Sequence, residues 1–396
     1  GTLNVEDLTT GERVPYEDVP GTKRQILLFA KQVPAIGYKS YRIRKAETAG
    51  NFSPAPFPMK VSWDASGWIT SIREGVRELA PIEKTKPIGR VLLSRDNEEW
   101  RADETGPGRV SVQEGPVTRR IEVSRTGSVL PFTGVTLYRD ASYVDLRFDV
   151  DLAFARGSAT GTNTRFAISL PFRSDKTFID GAGFVIRVPE DILPGGKAPQ
   201  FTPVQFVHYG QETGWGATVA NIDAATLRPE GLFLVAAENF ASATRDEGLV
   251  RLFRTEPRSS PVQTFRFRVA IQDESAAEWK RFGAEANVPL RAVTTTGTPE
   301  SPQRGFVEVS DTRVHLLAFK QSELTPGLHV FRLQESSGEP VNGVQVKLSL
   351  DVLSAEAANL VEEPSGDAVD LHNLAFRPWE TKTLLVKLAT PAAGEN

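Results

Sequence analysis

The chain has 396 residues, 40% hydrophobic and 24% charged, and Asp+Glu 50 against Lys+Arg 46 gives a net charge of −4. That is globular material of two or three domains' length, and the absence of a long basic run excludes a nucleic-acid partner of the usual electrostatic kind. With no cysteine, disulfides, thiolate catalysis and cysteine zinc sites are excluded, and no apolar run approaches the roughly 18 residues of a membrane helix.

Along the chain, short runs at 26–30, 41–45, 59–63 and 117–123 read as strands. Residues 143–152, "YVDLRFDVDL", alternate most cleanly. Val144, Leu146, Phe148, Val150 and Leu152 face one way, while Asp145, Arg147, Asp149 and Asp151 face the other. Such a strand has one dry and one wet face, as in an antiparallel sheet. Further strands are expected at 165–170, 183–188, 204–208, 216–220, 231–236, 344–350 and 383–388. "TFRFRVAI", 264–271, turns Phe265, Phe267, Val269 and Ile271 to one side. Helical spacing occurs in "DESAAEWKRFGAEA", 273–286, with Asp273 or Ser275 as its cap. Many short strands with Gly/Pro turns and one helix predict an all-β protein of antiparallel sheets, in sandwiches or a barrel. Turn signals divide it into a small β unit at 1–46, a long strand series at 55–305 and a last sandwich at 306–391, with a frayed tail "ATPAAGEN".

Catalytic constellations are scarce. The four histidines are His208, His315, His329 and His372, and no two have the short spacing of a zinc pair. His315 and His329 lie on the arms of one hairpin and are expected to be cross-strand packing partners. His208 lies in "QFVHYGQETGWGA". There Tyr209 and Trp215 flank Gln211 and Glu212, a mixture of flat rings, amide and carboxyl that suits a sugar. The bland alternative, which the pattern favours, is a strand, a polar turn and another strand with the aromatics in the core. If the stretch does meet a sugar, His208, Tyr209, Gln211 and Trp215 are the candidate carbohydrate contacts. Asp145, Asp149 and Asp151 are better read as a solvated strand face than as the paired carboxylates, roughly 5 to 9 Å apart, of a glycosidase. No G-x-S-x-G, phosphate loop or G-x-G-x-x-G occurs. The expectation is a chain without a self-contained active site and without a cofactor of its own.

Several stretches nevertheless resemble the glycoside hydrolase family 38 α-mannosidases. "RQILLFAKQVPAIGYKSYRIRK" is similar to a family segment through Leu27, Leu28, Phe29, Val33, Pro34, Gly37, Tyr38 and Tyr41. "MKVSWDASGWITSIREGVREL" resembles the next one through Asp64, Gly67, Ile69, Ser71, Ile72, Arg77, Glu78 and Leu79. "GVTLYRDASYVDLRFDVD" and "TRFAISLPF" follow in family order. Near the end come "VHLLAFKQSE", "GLHVFRLQESSG" and "AANLVEEP…LHNLAFRPWETKTLLVKL", with Asn359, Leu360, Glu362, Glu363, Pro378, Glu380, Thr383 and Leu384. One departure is the entry to the large sandwich, where only Asn51 lies near the family's Leu-x-Asn element.

The resemblance covers the C-terminal β half of that family. It implies a galactose mutarotase-like supersandwich over 55–305, with smaller β-sandwich units at both ends. It also implies that zinc, its ligands and the aspartate nucleophile of a retaining α-mannosidase belong to a preceding catalytic domain absent from this sequence. The expected partners are that N-terminal catalytic domain and a mannose-containing glycan, with neither nucleic acid nor membrane. Gly1 in place of a starting Met suggests trimming. A soluble protein of the bacterial cytoplasm or periplasm is expected. The competing readings are a free-standing carbohydrate-binding β protein and a mutarotase- or lyase-type enzyme using His208 as acid/base.

Overall fold

A computed structural model describes residues 2–19, 21–22, 25–47, 54–82, 87–95, 101–102, 106–151, 164–195, 200–224, 226–237 and 262–389. Leu152, Asn51 and the tail from residue 390 lie outside them. Every strand pair among the described residues is antiparallel, and they contain one helix, Ala276–Asn287.

Two sheets make the large sandwich. Nine strands run in the spatial order Arg109–Glu114, Thr118–Ser124, Phe132–Tyr138, Tyr143–Asp151, Val262–Asp273, Trp215–Asn221, Phe206–Gly210, Lys176–Asp180 and Val185–Val188. The facing sheet orders Arg101–Ala102, Arg90–Arg95, Thr164–Ser169, Leu232–Ala237 and Thr226–Arg228. The alternation of the sequence builds the layer between them. Val144, Leu146, Phe148 and Val150 point into one buried cluster with Phe265, Phe267, Val269 and Ile271. Phe166, Ile168 and Phe233 join it from the other sheet. Phe233 meets Phe267 edge-on across the layer, ring centroids 4.8 Å apart. The three-stranded sheet Met59–Trp63, Ile69–Glu74, Arg77–Leu79 closes one end. Its turn explains the "WDASGW" signature: Asp64 Oδ1 accepts from the N–H of Ser66 and Trp68, each at 2.9 Å. Gly67 has φ +77°, and a Cβ there would stand 2.6 Å from Val123.

The wet strand face consists of ion pairs. Arg268 clamps Asp145 at 2.7 and 3.0 Å, Tyr138 donates to the same carboxylate at 2.8 Å, and Arg147 pairs with Asp149. At the sheet edge, Glu17 of the N-terminal unit accepts from the N–H of Val117 and Thr118, from the Thr118 hydroxyl and from Arg120.

A second core lies in the C-terminal sandwich. Its main sheet orders Val314–Gln321, Leu328–Glu335, Thr381–Leu388, Val352–Ala358 and Pro364–Ala368. Phe331, Leu333, Leu384 and Val386 pack from it onto Val341, Val344, Leu374 and Phe376. The polar stretch before this sandwich is more ordered than its composition suggests, because Gln303–Gly305 pairs with Gly37–Lys39 of the N-terminal unit. Gly37 permits that approach, since a Cβ there would lie 2.3 Å from the Arg304 carbonyl oxygen.

Candidate functional site

The strands Phe206–Gly210 and Trp215–Asn221 carry the residues singled out for sugar contact. Alternation sends His208 and Tyr209 to opposite faces of the sheet. Here both faces are dry. Tyr209 is buried in the main core, with its ring 6.2 Å from Phe172. Its hydroxyl has no protein partner, and burial pushes its pKa far up.

His208 points to the other side, where the helix covers it. Ser275 caps that helix by accepting from Glu278 N–H, and its buried side includes Trp279, Lys280, Phe282, Gly283 and Ala286. Gly283 lets the helix approach, because a Cβ would stand 2.9 Å from that of Gln205. Trp279 donates its indole N–H to the Asp273 carbonyl at 3.0 Å and stacks on His208 at 4.0 Å. The imidazole Nδ1 is hydrogen-bonded to Thr218 Oγ1 at 2.9 Å, while Nε2 has no protein partner. Burial takes the His208 pKa down to about 3. His208 is thus a neutral ring inside the molecule, closed to substrate, and lacks the access that acid/base work demands.

Beside it, Asp180 and Lys280 form a buried ion pair at 3.4 Å, and Asp180 also accepts from Gln205 N–H at 3.0 Å. Burial, the largest influence, raises the Asp180 pKa despite Lys280.

Gln211 and Trp215 remain half-exposed, at the ends of a tight turn closed by Gln211 N–H donating to the Trp215 carbonyl at 3.0 Å. Around it lie Asp175, which accepts from Glu212 N–H at 3.0 Å, and Arg77, 5.7 Å over the Trp215 ring and paired with Asp273. The structure therefore separates the four expected contacts: two are interior, and two share a polar turn whose indole already carries a guanidinium.

The hairpin histidines are not cross-strand neighbours. His315 pairs with Gln334 and His329 with Gln321, so six residues, about 20 Å of strand, separate them. The hairpin loop lies close to His329, and register follows from that loop rather than from the shared residue type. Among the described residues no three His, Cys, Asp or Glu side chains converge on a metal-sized point.

The junction between the sandwiches leaves little trace in the sequence. Trp379 of the C-terminal sandwich packs with Val185, Phe206, Phe178 and Trp279, and Gln334 Nε2 donates to the Gly183 carbonyl at 3.0 Å. Fully buried Glu335 accepts from Gly338 N–H and Trp379 N–H, both at 2.9 Å, and so fixes the tryptophan. The only signal for this in the sequence is a large aromatic beside a proline in a polar turn.

No helix among the described residues is long and apolar enough to cross a membrane. Residues 313–384 match the family model described as the glycosyl hydrolases family 38 C-terminal beta sandwich domain. No curated protein matches the sequence. Among solved structures, an α-mannosidase from Enterococcus faecalis V583 aligns over 97% of this chain and 51% of its own, with TM-score 0.70 and 13% identity. A glycosyl hydrolase family 38 protein from Enterococcus faecalis aligns over 97% and 52%, with TM-score 0.68 and 13% identity. The chain spans about half the length of these structures. The last sandwich thus matches the family 38 C-terminal beta sandwich domain over residues 313–384, and the chain as a whole shares the fold of about half of each of these structures.

Proposed function

We propose that this chain is the non-catalytic β half of an α-mannosidase, which buttresses a catalytic half and walls part of its cleft. The observation that carries this reading is the alignment over 97% of the chain with only half of an α-mannosidase. The interior of the large sandwich agrees, because its histidine and its buried carboxylate are committed to packing and pairing. Zinc, nucleophile and acid then belong to the catalytic half, and sugar contact by this chain falls to the turn of Gln211 and Trp215.

The test is to read the gene from its own start codon and assay the whole product on p-nitrophenyl α-mannoside. Zinc-dependent hydrolysis by a product with an upstream domain is expected. A product that starts at this chain and binds glycans without turnover would favour a carbohydrate-binding protein instead.

A further inference from the structure

A second histidine faces the joint between the two sandwiches. Val314 and Leu316 pack into the core of the last sandwich, so alternation turns His315 to the opposite face of the same strand. Its cross-strand partner Gln334 shares that face and donates to the Gly183 carbonyl of the large sandwich at 3.0 Å. Gln334 also donates to the Thr381 hydroxyl at 3.2 Å. Two residues before Thr381, Trp379 packs on Trp279, Phe206 and Val185 of the large sandwich. His315 thus stands where the sheet of one sandwich meets a turn and the helix of the other.

Its surroundings suit the neutral ring. The His315 Nε2 is sealed from water and has no protein partner. Burial, the largest influence, lowers the His315 pKa, and the helix cations Lys280 and Arg281 lower it further. A backbone hydrogen bond at Thr312 and the Glu335 carboxylate act the other way and are outweighed. The acids nearby serve other groups. Asp180 pairs with Lys280 at 3.4 Å, while Glu278 at 2.6 Å and Glu285 at 3.8 Å hold Arg281. Glu335 accepts from the Gly338 and Trp379 N–H groups, and Asp311 holds Arg313, two residues before the histidine.

We propose that His315 is a proton-operated latch on this joint: the neutral ring lets the two sandwiches close, and a proton on it drives them apart. Protonation would place an N–H without an acceptor, and a third positive charge, beside Lys280 and Arg281. Opening the joint returns the ring to water, where it titrates near its ordinary 6.5. The open form therefore takes up the proton that the closed form refuses. The closed joint is fully favoured above about pH 6.5 and gives way as pH falls below it.

Amide exchange in the 396-residue chain, corrected for the intrinsic effect of pH, tests the latch. The Trp379 and Gly338 N–H groups, both bonded to Glu335, report on the joint, and the strand Tyr143–Asp151 reports on the rest of the large sandwich. From about pH 7.5 to about pH 5.5, protection at the two joint amides should fall about tenfold further in the wild type than in His315→Gln. Tyr143–Asp151 should show no such difference. His315→Phe keeps a flat ring, should behave as His315→Gln does, and carries the comparison if the glutamine variant does not fold. His208 is present in all three proteins, so its own titration cancels. Equal losses in the wild type and the variants would overturn the proposal. So would a difference of one size throughout the chain, because the proton would then act on global folding and not on the joint.

Discussion

His208 lies flat against Trp279, with ring centroids 4.0 Å apart and planes within 16° of parallel. One ring comes from the strand Phe206–Gly210 and the other from a helix some seventy residues later, so the contact fastens the helix to the sheet. Phe178 and Phe206 complete the packing, at 4.9 and 6.2 Å from Trp279. Trp279→Ala should lower unfolding stability by about 3 to 5 kcal/mol, the usual cost of emptying an aromatic site in a core. Urea denaturation reads the change; a shift within error would mean the helix is held by something else.

Burial of His208 also sets a pH dependence. In the unfolded chain the group titrates near its ordinary 6.5, but in the folded chain only at about 3. Between those values the unfolded state binds a proton that the folded state refuses. The contribution is therefore fully present above about pH 6.5 and falls by about 1.4 kcal/mol per pH unit as pH drops toward 3. His208→Phe removes this dependence. From pH 7 to pH 5 the wild type should lose about 2 kcal/mol more than the variant, and parallel stability curves would contradict the assignment.

The Asp180–Lys280 pair predicts an asymmetric response. Lys280→Met leaves a buried carboxylate without its cation and should cost about 3 to 5 kcal/mol at neutral pH. Because burial already raises the Asp180 pKa, the variant's deficit should shrink as pH falls and the carboxyl protonates. Adding Asp180→Asn should recover part of the loss at pH 7. Thermal unfolding of the three proteins at two pH values measures both effects.

Gly338 is required by Trp379. At φ +80° it is left-handed, and a Cβ there would lie 2.6 Å from the indole. Gly338→Ala should therefore both strain the turn and displace Trp379 from its place against Phe206 and Trp279. A loss of about 2 kcal/mol or more is expected, with a change in tryptophan fluorescence as the ring moves toward water. An unchanged spectrum would mean the junction tolerates the methyl group.

Strand identity was legible wherever one face is dry and the other wet. The residues at 143–151 and 264–271 fall on the strands Tyr143–Asp151 and Val262–Asp273, with the apolar positions inward as read. The helix start was legible to within two residues: of the two candidate caps, Asp273 and Ser275, the helix uses Ser275. The place of His208 was not, because a strand buried on both faces gives alternation no wet side to report. What buries His208 is a helix far away in sequence, and that contact has no local signature. The histidine hairpin failed for a different reason: two residues on paired strands face each other only if the register places them so, and the loop sets the register. Trp379 shows the same limit at the junction, where its role depends on Gly338, Glu335 and a helix from the other sandwich.

The most direct measurement is hydrolysis of p-nitrophenyl α-mannoside by the purified chain, with zinc added and with zinc chelated. If these sheets only shape and brace an active centre carried elsewhere, neither condition gives release of nitrophenol above buffer. Turnover that appears with zinc, vanishes with chelator and scales with this polypeptide alone would contradict that.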